Sequence, residues 1–190
     1  MKFSRRLMIL TMAIGFGSGF PWPASAEFFK GFLRSATVKK AEKKTGSPEK
    51  YLTIKMGRIY GETDPRNRVH YVSSPGRYEI VLESSTQRWR YRENYPLADG
   101  HYFYHMDAAG RIFALRLTDD SPATFQHSSL PAGGPVAGVG LMVFENAHMR
   151  SLDRCSGHYM PSVEIFEQVL SELQERRMNF DNVVIGRPCT

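Results

Sequence analysis

Two short blocks concentrate the residues that could do chemistry. The first runs Phe125-Gln126-His127-Ser128-Ser129-Leu130-Pro131-Ala132-Gly133-Gly134, and the second Ser156-Gly157-His158-Tyr159-Met160-Pro161. Each sets a histidine, able to titrate near neutrality, beside hydroxyl groups and glycines that let backbone approach a ligand or a neighbouring strand. A serine nucleophile would use Ser128 or Ser129, activated by a histidine that Asp153 orients. Against it, the Gly-x-Ser-x-Gly elbow is absent, and a His directly before a Ser projects to the opposite face of a strand. Glycoside hydrolysis would need two facing carboxylates, for which Glu145 and Glu164 stand only by elimination.

A nucleotide-handling arrangement is the stronger enzymatic alternative. His127, Tyr159 and Glu164 follow one another as in the His-Tyr-Glu set of ADP-ribosyltransferases, with NAD as the cofactor and Ser129 beside the histidine. The interval is short for that fold, and Glu164 falls on a predicted helix rather than a strand. Two readings need no catalysis. In one, His127, Ser128, Ser129, Gly133, Gly134, His158 and Tyr159 line a cleft for a small ligand or a protein. In the other they are satisfied inside the fold, and the blocks are a folding signature.

The two cysteines, Cys155 and Cys189, leave three alternatives open. An oxidising compartment would favour a disulfide that ties the C-terminal tail to the second block. Two free thiols are the second alternative. Cys155-x-x-His158 also has a metal-like spacing, but only His127 and His148 could complete the three or four ligands that zinc requires. No metal site is assigned.

The elements that must position these blocks are mainly strands. Tyr51 to Met56 and Val69 to Val72 are rich in β-formers, and Tyr78 to Leu82 and Trp89 to Tyr91 flank a Ser84-Ser85-Thr86-Gln87 turn. His101 to Met106 and Ile112 to Leu117 read as a hairpin around Asp107-Ala108-Ala109-Gly110, and Val136 to Phe144 and His148 to Leu152 as another around Glu145-Asn146-Ala147. A helix opens at Pro161-Ser162, with Ser162 as N-cap and Phe166, Val169, Leu170 and Leu173 as its apolar stripe. Val183-Val184-Ile185 forms a last strand. The expected fold is α+β: a mainly antiparallel sheet with a C-terminal helix packed on one face.

The N-terminal part has a different composition. Lys2, Arg5 and Arg6, the apolar run Leu7 to Phe20 and Ala24-Ser25-Ala26 together predict a signal peptide over 1–26 and a periplasmic or secreted protein. The apolar run is shorter than the roughly 20 residues a membrane span needs. Residues 27–50 form a basic amphipathic segment, with a short helix whose Phe28, Phe29, Phe32 and Leu33 face one way. Residues 28–44 would lie on the domain, meet an anionic membrane surface or fill a partner's groove. Without the three basic residues of the leader, 22 of the 25 Lys and Arg remain against 19 acidic residues, a balance that offers nothing to nucleic acid. Residues 51–190 are read as one domain.

Taken together, Phe125-Gln126-His127-Ser128-Ser129, Gly133-Gly134, Gly140, Ser156-Gly157-His158-Tyr159, Pro161, Phe166 and Asn182-Val183 resemble the C-terminal domain of the plant IQM proteins, a family named for an IQ motif that binds calmodulin. The resemblance covers roughly the second half of the chain and implies the same core fold. It implies no catalytic residue. This chain departs from the family at Leu141, where a basic residue is usual, and at Ile165, where a polar one is. No Ile-Gln pair occurs in the sequence, so calmodulin is not expected as a partner. The function expected at this stage is an exported binding or interaction domain with its cleft between the two blocks, NAD-dependent transfer being the alternative.

Overall fold

The structure is a computed structural model, and it describes residues 49–57, 71–122 and 124–186. The strands are β1 (Glu79–Glu83), β2 (Arg88–Tyr91), β3 (Gly100–Met106), β4 (Ile112–Arg116), β5 (Gly138–Glu145), β6 (His148–Leu152) and β7 (Val184–Ile185), with one α-helix, α1 (Val163–Glu175). They form one sheet of order β2-β1-β4-β3-β5-β6-β7, antiparallel throughout except for the parallel pair β6–β7. The α+β expectation therefore holds. The predicted leader and the basic amphipathic segment lie outside the described residues, apart from Glu49 and Lys50.

Local chemistry explains most of these elements. Asn146 and Ala147, both at positive φ, make the tight turn between β5 and β6. The Ser162 hydroxyl accepts the Ile165 N–H at the start of α1, and Phe166, Val169, Leu170 and Leu173 are buried. Tyr102, Tyr104 and Met106 of β3, Ile112 and Ala114 of β4, and Met142 and Phe144 of β5 alternate onto the face that α1 covers. The opposite parity, Phe113 and Leu115 with Leu130, and Val139 with Val136 and Tyr159, builds two smaller cores on the other face.

Gly138 and Gly140 permit the closest approaches to β5. A Cβ at Gly138 would overlap Val169 Cγ2 of α1, and one at Gly140 would overlap the Asp153 carbonyl. The sheet also curls toward closure. The Trp89 N–H of edge strand β2 donates to Ala147 O in the β5–β6 turn at 2.7 Å, while Tyr91 N–H donates to Tyr95 O. These contacts occupy the outer edge of β2, which would otherwise be open to pairing.

The strand predicted over Tyr51 to Met56 is replaced by a single bridge, Ile54 to Val136. Its start is drawn instead onto α1. Tyr51 donates to Glu172 (2.8 Å), as does the Lys50 ammonium (2.7 Å), and Leu52 N–H donates to Gln168 Oε1 (2.9 Å). Of the strand predicted over Val69 to Val72, residues 69 and 70 lie outside the described residues. Val72 makes one backbone bond, to Ser129 O, and no strand.

Candidate functional site

The two blocks meet on the sheet face opposite α1. Phe103 alternates with Tyr102 and Tyr104 along β3, so it points away from the helix, and the His127 ring packs on it with centroids 4.2 Å apart. Burial pushes His127 down to about 4; the nearby His158 lowers it further, and hydrogen bonding to the Gly140 backbone opposes the shift. His158 is half-buried and is itself lowered by burial. The histidines therefore share one neighbourhood.

Most hydrogen-bonding capacity there is spent on the fold. Ser129 Oγ accepts the Gln126 N–H at 2.9 Å, Ser129 N–H returns a bond to Gln126 O, and Gly133 N–H donates to Ser128 O. Ala132 and Gly133 both take positive φ to close this turn. Tyr159 fastens the second block to the first, its hydroxyl donating to Gly134 O at 2.8 Å. Burial holds that phenol above its ordinary pKa. Within the second block Ser156 O accepts Met160 N–H, and His158 O accepts Gly57 N–H at 2.9 Å. The segment through Gly57 is thus laid along the second block.

Among the described residues no serine hydroxyl is hydrogen-bonded to a histidine. Ser128 is fully buried, and its Oγ has no hydrogen-bond partner; nor has His127 Nε2. Asp153, the residue expected to orient a histidine, uses Oδ1 for the N–H groups of Leu141 and Cys155, both at 2.9 Å. Its carbonyl takes the Tyr104 hydroxyl from the helix-covered face of β3. Glu164 is exposed in the first turn of α1, its carboxyl lowered by a hydrogen bond with Ser162. Glu145 is exposed and paired with Arg150. Among the described residues no group of three or more His, Cys, Asp or Glu could hold a metal ion. Cys189 lies outside the described residues, so its expected pairing with Cys155 is not placed; no described cysteine is a free thiol.

Two features escaped the sequence reading. His105 sits at the inward parity of the second face, stacked on Phe113 with centroids 4.8 Å apart and 9° between planes. Burial pushes it down to about 4, with Asp107 opposing and Arg111 adding to the shift, and its Nδ1 has no partner. The signal was its alternation with Tyr102, Tyr104 and Met106. The second feature is Glu172. This buried acid on α1 binds Lys50, Tyr51 and, through Oε1 at 2.8 Å, the Arg176 guanidinium. Its partners near residue 50 are too distant in sequence for any local pattern to show.

Comparison with known proteins places this geometry. Residues 77–166 match the family described as "IQ motif-containing protein middle domain". Three Arabidopsis thaliana relatives are similar to the chain. IQ domain-containing protein IQM1 is 28% identical over 112 residues, which is 56% of this chain and 22% of the relative. IQM3 is 36% identical over 63 residues (33% and 14%), and IQM2 is 42% identical over 60 residues (32% and 10%). The chain thus spans at most about a fifth of the length of these relatives, 22% for IQM1. No solved structure matches it.

These findings correct three expectations. The exported ligand-binding domain, and the NAD-handling enzyme as its alternative, give way because the relatives are plant IQ domain-containing proteins. Nothing in the geometry restores the NAD arrangement, since Glu164 is exposed on the helix while Tyr159 is spent on Gly134 O. The periplasmic or secreted placement, and the signal peptide with it, find no support in those relatives; the reading rested on the composition of a short apolar run outside the described residues. The resemblance carried by the two blocks is the part that stands: this chain contains an IQM-like domain.

Proposed function

We propose that the IQM-like domain of this chain is a non-catalytic protein module, one folding unit over residues 51–190, in which the two histidine blocks fasten loops to the sheet. One observation supports the reading: around His127 and His158, hydroxyls and backbone bind one another, and among the described residues no serine is hydrogen-bonded to a histidine. A nucleophile–base pair needs that contact. The relatives are IQ domain-containing proteins by name, and the sequence here has no Ile-Gln pair. These residues therefore offer calmodulin no IQ element, and no calmodulin complex is expected of them.

Two assays test this. Hydrolysis of p-nitrophenyl acetate by the full chain should not change in Ser128→Ala, Ser129→Ala or His127→Gln variants that keep their fold. A serine-dependent rate would overturn the non-catalytic reading. Native gel mobility with calmodulin, with and without calcium, should show no complex; a stoichiometric complex would overturn independence from an IQ element.

A further inference from the structure

Residues 50–57 lie on the domain as an extended peptide lies in a groove. They join no strand, and Leu52, Thr53, Lys55 and Gly57 are exposed. Most of their hydrogen bonds use backbone. The N–H groups of Lys50 and Tyr51 donate to Ala108 O (2.7 and 3.0 Å), Ile54 exchanges two bonds with Val136 (2.8 and 2.9 Å), and Gly57 N–H donates to His158 O (2.9 Å). Gln168, buried on α1, clamps both backbone groups of Leu52: its Oε1 takes the N–H (2.9 Å) and its Nε2 donates to the carbonyl (3.1 Å). Contacts of this kind hold an extended chain and read little of its sequence.

Four side chains add selectivity. At one end Glu172 and Glu175 hold the Lys50 ammonium, at 2.7 and 2.5 Å. Beside them the buried Tyr51 ring fills a slot that Gly110 leaves open, since a Cβ there would lie 3.0 Å from the ring and 2.7 Å from Glu172 Oε2. Its hydroxyl donates to the same carboxylate at 2.8 Å. Farther along, Ile54 and Met56, two residues apart on one face of the extended segment, pack into the cluster of Val136, Val139 and Tyr159. An acidic pair, an aromatic slot, a backbone clamp and an apolar floor, set in line, are the parts of a site that takes up an extended peptide. Here the chain itself supplies the peptide.

We infer that this groove docks an extended segment of a partner protein with the same chemistry, and that residues 50–57 close it from within the chain. The segment it fits has a basic residue, then an aromatic one, then apolar residues three and five positions after the aromatic. Such docking rests on the module reading above only for its role. A serine-dependent esterase rate would overturn that reading and leave peptide binding here untouched. A segment tethered in the same chain competes at high effective concentration, so a partner's segment must displace it. The test is fluorescence anisotropy of a labelled peptide copying residues 48–58, titrated with the full chain and with a Tyr51→Ala/Ile54→Pro chain. These two replacements remove the ring from its slot and the Ile54 N–H bond to Val136, releasing the chain's own segment. The released chain should bind the peptide saturably, at least about tenfold tighter than the parent chain does. Gln168→Leu in the released chain, or the same two replacements in the peptide, should weaken binding by about tenfold or more through lost hydrogen bonds. If the double variant fails to fold, Ile54→Pro alone carries the same comparison. Absence of saturable binding to a folded released chain, equal binding of the replaced peptide, or full affinity in a folded Gln168→Leu chain would overturn the inference. A dimer of the chain that excess peptide does not dissociate would also overturn it, giving the groove to the segment of a second copy.

Discussion

Replacing Glu172 by alanine should loosen the segment that supports the second histidine block. The carboxylate takes hydrogen bonds from Lys50, Tyr51 and Arg176 at 2.7–2.8 Å, and Arg176 also reaches Gly110 O at 2.6 Å. Removing one member of a fully buried ion pair costs about 3–5 kcal/mol. Here the Lys50 and Arg176 side chains are 33% and 23% exposed and regain water, so the cost should be smaller. An estimate of about 2–3 kcal/mol follows, mostly from the stranded Tyr51 hydroxyl, the lost charge-assisted bonds and the lost side-chain packing. For a domain of this size that lowers Tm by roughly 6–9 °C. Urea denaturation of Glu172→Ala, Tyr51→Phe and the double variant reads the coupling, expected at about 1 kcal/mol. Burial alone would raise the Glu172 carboxyl, but the bonds from Lys50, Arg176 and Tyr51 hold it below its ordinary value. Its contribution is therefore present above the unfolded carboxylate pKa and is lost as pH falls through the folded one. A cost under about 0.5 kcal/mol, with no coupling to Tyr51, would refute the reasoning, because that lies within the range of an exposed ion pair.

Other perturbations separate the remaining contacts. Ser128→Ala should be neutral or slightly stabilising in urea denaturation, since its buried hydroxyl has no partner to lose. Tyr159→Phe removes the bond to Gly134 O and should cost about 1 kcal/mol by the same measurement. Gly138→Ala should destabilise by about 1–3 kcal/mol through overlap with Val169, and Val169→Ala in the same chain should recover part of the loss. His105 and His127 are both held neutral by burial, from 6.5 down to about 4, so the unfolded chain binds more protons in that range. Stability should be full above pH 6.5 and fall as pH drops toward 4, by up to about 1.4 kcal/mol per pH unit for each histidine. Urea midpoints in His105→Phe and His127→Gln should show a shallower decline.

Local pattern was enough wherever a residue's neighbours in sequence are also its neighbours in space. The stripe Phe166, Val169, Leu170, Leu173 and the Ser162 cap specify α1, and the alternation through Tyr102 to Met106 specifies which face of β3 meets it. Tyr51 to Met56 misled because β-forming residues make a strand only when a partner edge is free along their length. This segment makes one bridge, to Val136 just before β5, and is otherwise held by Ala108 O in the β3–β4 turn and by Glu172 and Gln168 of α1. The blocks were legible as residues that belong together but not as a fastening. Whether Tyr159 reaches Gly134 O or a ligand depends on the orientation of two loops, which no spacing encodes.

The placement of His127 is the point on which the account turns, and its own titration tests it most directly. NMR of the His127 ring protons in the folded chain should show a neutral imidazole at pH 5.5 and a midpoint near 4, set chiefly by burial against Phe103 beneath the loop. A midpoint at or above the ordinary 6.5 would mean that the ring meets water or a carboxylate. The two blocks would then be a working site rather than a fastening.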